Sequence, residues 1–595
     1  MTATGVFVPV SEVFPDVAGD FETFRRLLGQ LSRTDTLFWC ARFNLILSNP
    51  TNTDHRSKQQ YVLSTCLRPQ EIERINRFAQ RHGGVDKIAV FFRGQLLELL
   101  RWACVLSADH AGDGNTFENL EKQRAFAQAA LIASDLWAQR IYGDRMSVRD
   151  GVAAARQRAL GSLRQSIAET SSGMHPLLAL GRGTRLISER LFEFYPPLEE
   201  EFRSKTGLSL NEYYVCLAMI MTHVLDVTPE NAEARGLGIF NVTTLSRDVP
   251  QLDRIVSAYL TLESQTAEEL KNALYCNEEP LDPFSLPSVK PLRRKPILRA
   301  IDGRAIIMDP VFYAERASAG PLFLISEGAD RSKSEQIFSA FGYAFEAYAG
   351  EILQAMYPKT PVLVNRLRLD VRGRDSRGNQ VQIADACLND VTDIVLVEAK
   401  ARWVVDDKVL DQDYETYLEH LRDRYGAKTT GNATPTGVAQ LARAITNLAS
   451  GEWNATDEDF SQAERIYPVL LVHDQLLDAP VHGQFLAGEF QRALYPDKAP
   501  RIGDMQKGRF RITPLILMTI EDLENLETST RHFALRDLLC EYSAACPDRM
   551  ESLHDFIARS SFGREIRYSQ SLAAKTLETL QQAVLTMGGS TEVPV

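Results

Sequence analysis

Residues 381 to 400 run Val381-Gln-Ile-Ala-Asp385-Ala-Cys-Leu-Asn-Asp390-Val-Thr-Asp393-Ile-Val-Leu-Val-Glu398-Ala-Lys400. Metal-assisted phosphodiester cleavage needs two or three carboxylate oxygens around a hard cation and a base or cation beside the attacking water. An Asp on one strand with Glu-x-Lys at the end of the next supplies that set compactly. Side chains alternate along a strand, so Glu398 and Lys400 share a face. With Asn389 to Thr392 as a hairpin loop, Leu388 lies opposite Asp393 and Asp385 opposite Leu396. This register puts Asp385 on the face of Glu398 and Lys400 and turns Asp393 away.

The tripeptide Glu/Asp-x-Lys occurs three times: Glu269-Leu-Lys271 in a helical run, Asp406-Asp-Lys408 in an acidic loop, and Glu398-Ala-Lys400. Only the last closes an apolar strand, Ile394 to Val397, that follows a second Asp-bearing strand. A central strand with three charges at its end is costly without a cation to gather them. The competing reading is an edge hairpin with a surface ion pair.

These residues resemble the PD-(D/E)XK nuclease superfamily, the restriction-endonuclease-like fold, over about residues 332 to 527. The order of elements is similar: a helix carrying Phe341-Gly-Tyr-Ala-Phe-Glu346-Ala-Tyr348, the Asp385 hairpin, Glu398-Ala-Lys400, then a helix with Gly437-Val-Ala-Gln440-Leu-Ala-Arg443-Ala444. The resemblance implies that Asp385, Glu398 and the Ala399 carbonyl hold Mg²⁺ or Mn²⁺, with Glu346 reaching the metal through water. It also implies that Lys400 orients or helps deprotonate the attacking water and offsets phosphate charge, and that Gln440 supports the site or the phosphate. Ala384 replaces the Pro of the motif's name, and Ala444 stands where some relatives carry Tyr. Glu351 is the substitute for Glu346.

The elements that must position these residues differ along the chain. Residues 20 to 280 read as helix after helix, with apolar stripes such as Phe21, Phe24, Leu27, Leu28 and Leu31, and further helices over 117–140, 148–167 and 186–202. Around Asn277 three prolines with Asn, Asp and Ser mark a linker, and 296–310 reads as a hairpin turning at Asp302-Gly303. A helix over 332–357 precedes β-rich runs at 361–371, 379–388, 393–399, 466–472 and 512–520, with a helix at 437–448 among them. The expected architecture is multidomain: an all-α N-terminal region (1–280), a linker and β-hairpin (281–331), an α/β restriction-endonuclease-like core (332–527), and a short helical C-terminal tail with a frayed end (528–595).

The 595 residues carry a formal net charge of −12, which excludes a protein that coats nucleic acid through a global positive field. Basic residues concentrate locally. Lys290 to Arg304 has six Lys/Arg against one Asp, Arg366 to Arg377 five against two, and Lys498 to Arg511 five against one. All three flank or enter the core, so the sequence predicts one basic groove. His473-Asp474 reads as a strand-end cap, and the acidic run from Asp406 to Glu419 as a solvated face. P-loop, nucleophile-elbow, zincin and zinc-deaminase motifs are absent, and the eight scattered cysteines never form Cys-x-x-Cys, the pattern of reduced thiols. Neither a secretory signal nor a long apolar span is present, so the chain reads as soluble and cytoplasmic with no membrane partner.

The expected function is a metal-dependent endonuclease acting on DNA, in a modular layout similar to bacterial defence or restriction effectors, with RNA as an alternative substrate. The helical region would serve recognition, regulation, homo-oligomerisation or a partner protein. The reading from a different class is a nuclease-like core that binds nucleic acid or a partner without cutting.

Overall fold

The computed structural model describes residues 6–49, 54–109, 119–142, 176–225, 227–233, 236–241, 250–275, 289–358, 366–404, 414–426, 437–456, 458–498, 501–566 and 568–586. The chain is multidomain, helical in its N-terminal part, with mixed sheet in the C-terminal half. The expected helix over 148–167, the Asn277 linker and most of the acidic run lie outside the described residues.

In the N-terminal part Asp20 caps Phe21–Gly29 by accepting from the Thr23 amide, and Phe24, Leu27 and Leu28 bury against Leu120–Tyr142. The helix expected over 186–202 is broken. A π-helical stretch, Thr184–Leu191, runs into Phe192–Phe194, and Pro196-Pro197 then interrupt the backbone before Leu198–Thr206 begins. The region is also not purely helical. Short strands Phe240–Asn241 and Ser264–Gln265 flank the hairpin Ile297–Arg299/Arg304–Ile307 in a four-stranded sheet. The hairpin turns at Asp302-Gly303 as the sequence predicts, with Gly303 at φ +85°. It is therefore stitched into the N-terminal body, and the buried helix Pro310–Ser326 that follows packs on Pro176–Gly183.

The C-terminal half is built on a mixed sheet flanked by α1 (Arg331–Met356) and α2 (Val438–Ser450). Its strands are β1 (Leu367–Asp375), β2 (Gln380–Asp390), β3 (Asp393–Lys400), β4 (Trp453–Ala455), β5 (Arg465–Val472), β6 (Met505–Lys507), β7 (Phe510–Ile512) and β8 (Ile516–Thr519). The order is β4-β1-β2-β3-β5-β7-β6, with β8 also paired to β5. Strands β1 to β3 form an antiparallel meander, and β5 lies parallel to β3 after the crossover through α2. The run expected over 512–520 is two strands, because Thr513-Pro514 breaks the ladder between β7 and β8. Asp330 caps α1 by accepting from the Lys333 amide, and its stripe Ile337, Phe341, Phe345, Tyr348 and Ile352 is buried.

The C-terminal helices are not a loose tail. Gln570–Thr586 packs on Pro176–Gly183, where Thr576 donates to the Leu177 carbonyl at 3.0 Å. A Cβ at Gly181 would lie 2.6 Å from the Leu572 carbonyl oxygen, so only glycine permits this approach. No single described helix is long and apolar enough to cross a membrane; one bent pair, Leu198–Thr206 with Leu210–Leu225, passes on composition alone, and most of the second helix is buried.

Candidate metal and phosphodiester site

Strand β3 ends in the site. Leu396 is buried, Glu398 is completely buried at 0 % exposure, and Lys400 emerges at the strand's end. The β2/β3 turn is tighter than expected. Asp390 pairs with Asp393 and Leu388 with Val395, leaving Val391-Thr392 as a two-residue turn in place of Asn389 to Thr392. Asn389 and Asp390 are weak strand formers, but the Asn389 amide donates to the Arg366 carbonyl at 2.8 Å, and Asp390 pairs with Arg366 at 2.8 Å. These ties draw both residues into the ladder and leave the β-branched Val391 at φ +69°. The register thus slips by two relative to the expectation, and continuing the ladder past Ala386/Val397 sets Asp385 beside Glu398. A slip of two preserves the face, so Asp385, Glu398 and Lys400 still share one side.

The contacts are close. Asp385 accepts from the Ala399 amide at 2.8 Å and from the Gln382 side chain at 3.0 Å. The Lys400 ammonium lies 2.5 Å from Glu398 Oε1 and donates to the Ala399 carbonyl at 3.0 Å. Despite that ion pair, neither Glu398 oxygen accepts a well-aligned hydrogen bond. A buried carboxylate left in that condition is costly. Burial, reinforced by the Asp385 charge, pushes the Glu398 carboxyl up to about 8. The same two causes push Glu346 up to about 7, which locates this half-buried α1 residue within the electrostatic reach of Asp385 and Lys400. Asp385 is raised by burial against the pull of Lys400. Burial drags Lys400 down, but the surrounding Glu398, Asp385 and Glu346 outweigh it and hold the ammonium charged.

Three carboxyl groups held above their ordinary range, chiefly by burial, beside one trapped ammonium describe a site that desolvates its acids and gives them few donors. Among the described residues no group of three or more His, Cys, Asp or Glu side chains is arranged to close around a metal ion. The cation's ground is taken: Lys400 Nζ bridges Glu398 and the Ala399 carbonyl, two of the three ligands the resemblance implies. Glu398, the Ala399 carbonyl and Asp385 would hold a divalent ion in place of the Lys400 ammonium. The donors are all hard oxygens, the type that Mg²⁺ and Mn²⁺ select. No family model, curated protein or solved structure matches the chain.

Other expected residues fare differently. Gln440 stands in the first turn of α2, which packs on β2 and β3, yet no described hydrogen bond or charge interaction joins it to Asp385, Glu398 or Lys400. Glu351 is bound to Arg185 at 2.6 Å and also to Arg190, both on the π-helical stretch, so it serves the N-terminal contact. Asp474 accepts from the Leu476 and Val404 amides at 3.0 and 2.6 Å, the cap that the sequence predicts, and His473 is held neutral by burial, which lowers it to about 3.

The three basic segments do not gather in one groove. Lys498 to Arg511 reaches the sheet through Arg511, which pairs with Arg465, itself beside Asp393. That is seven residues from Lys400, or about 23 Å along β3. Lys290 to Arg304 belongs to the N-terminal body, with Arg293 and Arg294 paired to Glu315 and Glu327. Only Arg366 to Arg377, on β1, borders Asp385.

That strand also holds a residue the sequence reading missed. Asp370 sits at φ +49° beside a bulge between Val371 and Arg372, opposite Asp385. Its charge raises both Asp385 and Glu346, while its carboxylate accepts from Arg372 at 2.8 and 2.5 Å. An Asp interrupting the run Leu367 to Val371 was the available signal.

Proposed function

We propose that this chain is a metal-dependent phosphodiesterase, an endonuclease acting on DNA through the Asp385, Glu398 and Lys400 centre. The single observation that carries the reading is Glu398: a wholly buried carboxylate with no aligned hydrogen-bond donor, held 2.5 Å from the Lys400 ammonium, which also donates to the Ala399 carbonyl, on the face that Asp385 of β2 shares. The order helix, three-stranded meander, crossover helix and parallel strand around it supports the resemblance to PD-(D/E)XK nucleases.

Asp385, Glu398 and the Ala399 carbonyl would hold Mg²⁺ or Mn²⁺, which would supply positive charge at the phosphate and make a water more acidic. The protein's own residues do the rest. Asp385 is fixed for that task by the Ala399 amide and Gln382, so its carboxylate needs little reorganisation. Lys400, freed from Glu398, offers a cation to the phosphate and a proton at Nζ. Glu346, poised near neutrality, can take a proton from a water held between it and Asp385. Arg372, on the strand beside Asp385, is placed to meet a phosphate by exchanging its Asp370 partner for one.

The bridging of Glu398 and Ala399 by Lys400 favours a second reading, a core that binds nucleic acid without cutting, its cation site closed by its own lysine. Cleavage of supercoiled, linear and single-stranded DNA and of RNA, with Mg²⁺, Mn²⁺ or EDTA, separates the two. We expect metal-dependent DNA cleavage by wild type, lowered by at least about 10²-fold in Lys400→Ala or Asp385→Ala with the fold intact. Equal results for wild type and both variants would sink the nuclease reading.

A further inference from the structure

A cavity of about 830 Å³ lies where the N-terminal body meets the C-terminal ends of β3 and β5. Its wall is aromatic: Phe323 from the Pro310–Ser326 helix, 41 % exposed, faces Trp403 at 5.3 Å, and Trp403 meets the His473 ring edge at 5.0 Å. Its rim is cationic, with Lys290, Arg293, Arg294 and Lys295 set against the carboxylates of Glu315 and Glu327. Between wall and rim, His473 is buried to 6 % exposure, and both its ring nitrogens lack a hydrogen-bond partner. A neutral imidazole has one donor and one acceptor; both are enclosed among Phe341, Phe345 and Trp403, and leaving them unmet costs free energy that a ligand edge reaching them on a turn of the ring would recover.

We infer that this cavity is a binding site for a mononucleotide, its base lying against Phe323 and Trp403 with an edge on His473, and its phosphates at the Lys290 to Lys295 rim. The volume falls in the range of about 300–1,000 Å³ that small-ligand sites occupy. A flat aromatic base matches the Phe323 and Trp403 faces, and a phosphate is the anion that Arg and Lys at a rim accept. A purely apolar ligand would leave the rim and His473 unused, and a free phosphate would leave the aromatic wall unused.

The site adjoins the proposed catalytic strand. Trp403 follows Lys400 by three residues, the His473 amide donates to the Lys400 carbonyl at 3.4 Å, and the Val404 amide is anchored on Asp474. A base wedged against Trp403 therefore bears on the backbone that aims Lys400. That regulatory consequence rests on the nuclease reading; the binding does not.

The test titrates the full-length chain with AMP, ADP, ATP, GTP and inorganic phosphate, by calorimetry and tryptophan fluorescence. Wild type, Lys400→Ala, Lys295→Glu and His473→Phe are compared, each checked for fold by circular dichroism. We expect a nucleotide to saturate wild type and Lys400→Ala alike, and to bind at least about tenfold more weakly to Lys295→Glu and His473→Phe. Phosphate alone should bind more weakly than any nucleotide that saturates. Failure of every nucleotide to bind wild type, equal affinity in the rim and wall variants, or phosphate binding as tightly as the best nucleotide would each overturn the proposal. Nucleotide binding by a wild type that cleaves nothing would defeat the nuclease reading and leave this site standing, whereas cleavage without binding would do the reverse.

Discussion

Two buried carboxylates some distance apart along this chain, Glu524 and Glu398, meet opposite treatment. Glu524, 1 % exposed, accepts from Arg182 Nε at 2.7 Å, from Arg182 Nη2, and from the Tyr348 hydroxyl at 2.7 Å. Its arginine comes from Pro176–Gly183 and its tyrosine from α1, so the cluster bolts the N-terminal body, the first core helix and the helix after β8 together. Glu398 has a single neighbouring ammonium and no aligned donor. A fold that satisfies one buried acid with donors from two other elements had the means to satisfy the other. The difference separates an ion pair that serves architecture from one that leaves room for a cation.

The comparison breaks most visibly at the bolt. Replacing Arg182 by Ala strands Glu524 in the interior and should cost about 3–5 kcal/mol of stability, read by chemical denaturation. Next comes the site: Lys400→Ala should lower cleavage by about 10²–10³-fold, with a melting temperature at or near that of wild type. Equal loss of stability in both variants would erase the distinction drawn between the two clusters.

Smaller and opposite in sign, Glu398→Gln should stabilise the metal-free protein at pH 8, by on the order of 1 kcal/mol, while abolishing cleavage. The sign follows from linkage. Burial raises the Glu398 carboxyl from an ordinary 4.5 to about 8, so the folded state holds a proton there that the unfolded chain releases. Its contribution is complete below about pH 4.5 and is lost as pH climbs through 8. Wild type should therefore melt lower at pH 8 than at pH 6 without metal, and the variant should lose part of that slope. The smallest effect expected is at Asp370. Removing its charge in Asp370→Asn should lower the Asp385 and Glu346 carboxyls, moving the midpoint of metal binding against pH to slightly lower pH.

What is legible in the sequence follows the period of the structure involved. The sharing of one face by Asp385, Glu398 and Lys400 was legible because strand alternation survives a two-residue error in register, and Asn389 and Asp390 produced just such an error through partners, Arg366 and Glu458, distant in sequence. The breaks at Pro196-Pro197 and Pro514 were visible in the residues themselves. Asp370 was not, since its influence depends on a bulge that brings it opposite Asp385. The junction cavity was equally hidden: Phe323, Trp403, His473 and Lys295 lie far apart in sequence, and only tertiary packing assembles them. The basic segments misled because local charge counts omit Glu315, Glu327 and Glu458, which neutralise several of those arginines from elsewhere.

Whether Glu398 is kept buried and underserved to receive a divalent cation is decided by calorimetric titration of Mn²⁺ at pH 6.5. Two buffers of different ionisation enthalpy report the protons released. Wild type should bind with proton release, and Glu398→Gln should lose both. No Mn²⁺ binding by wild type, or the same binding and proton release in the variant, would contradict it.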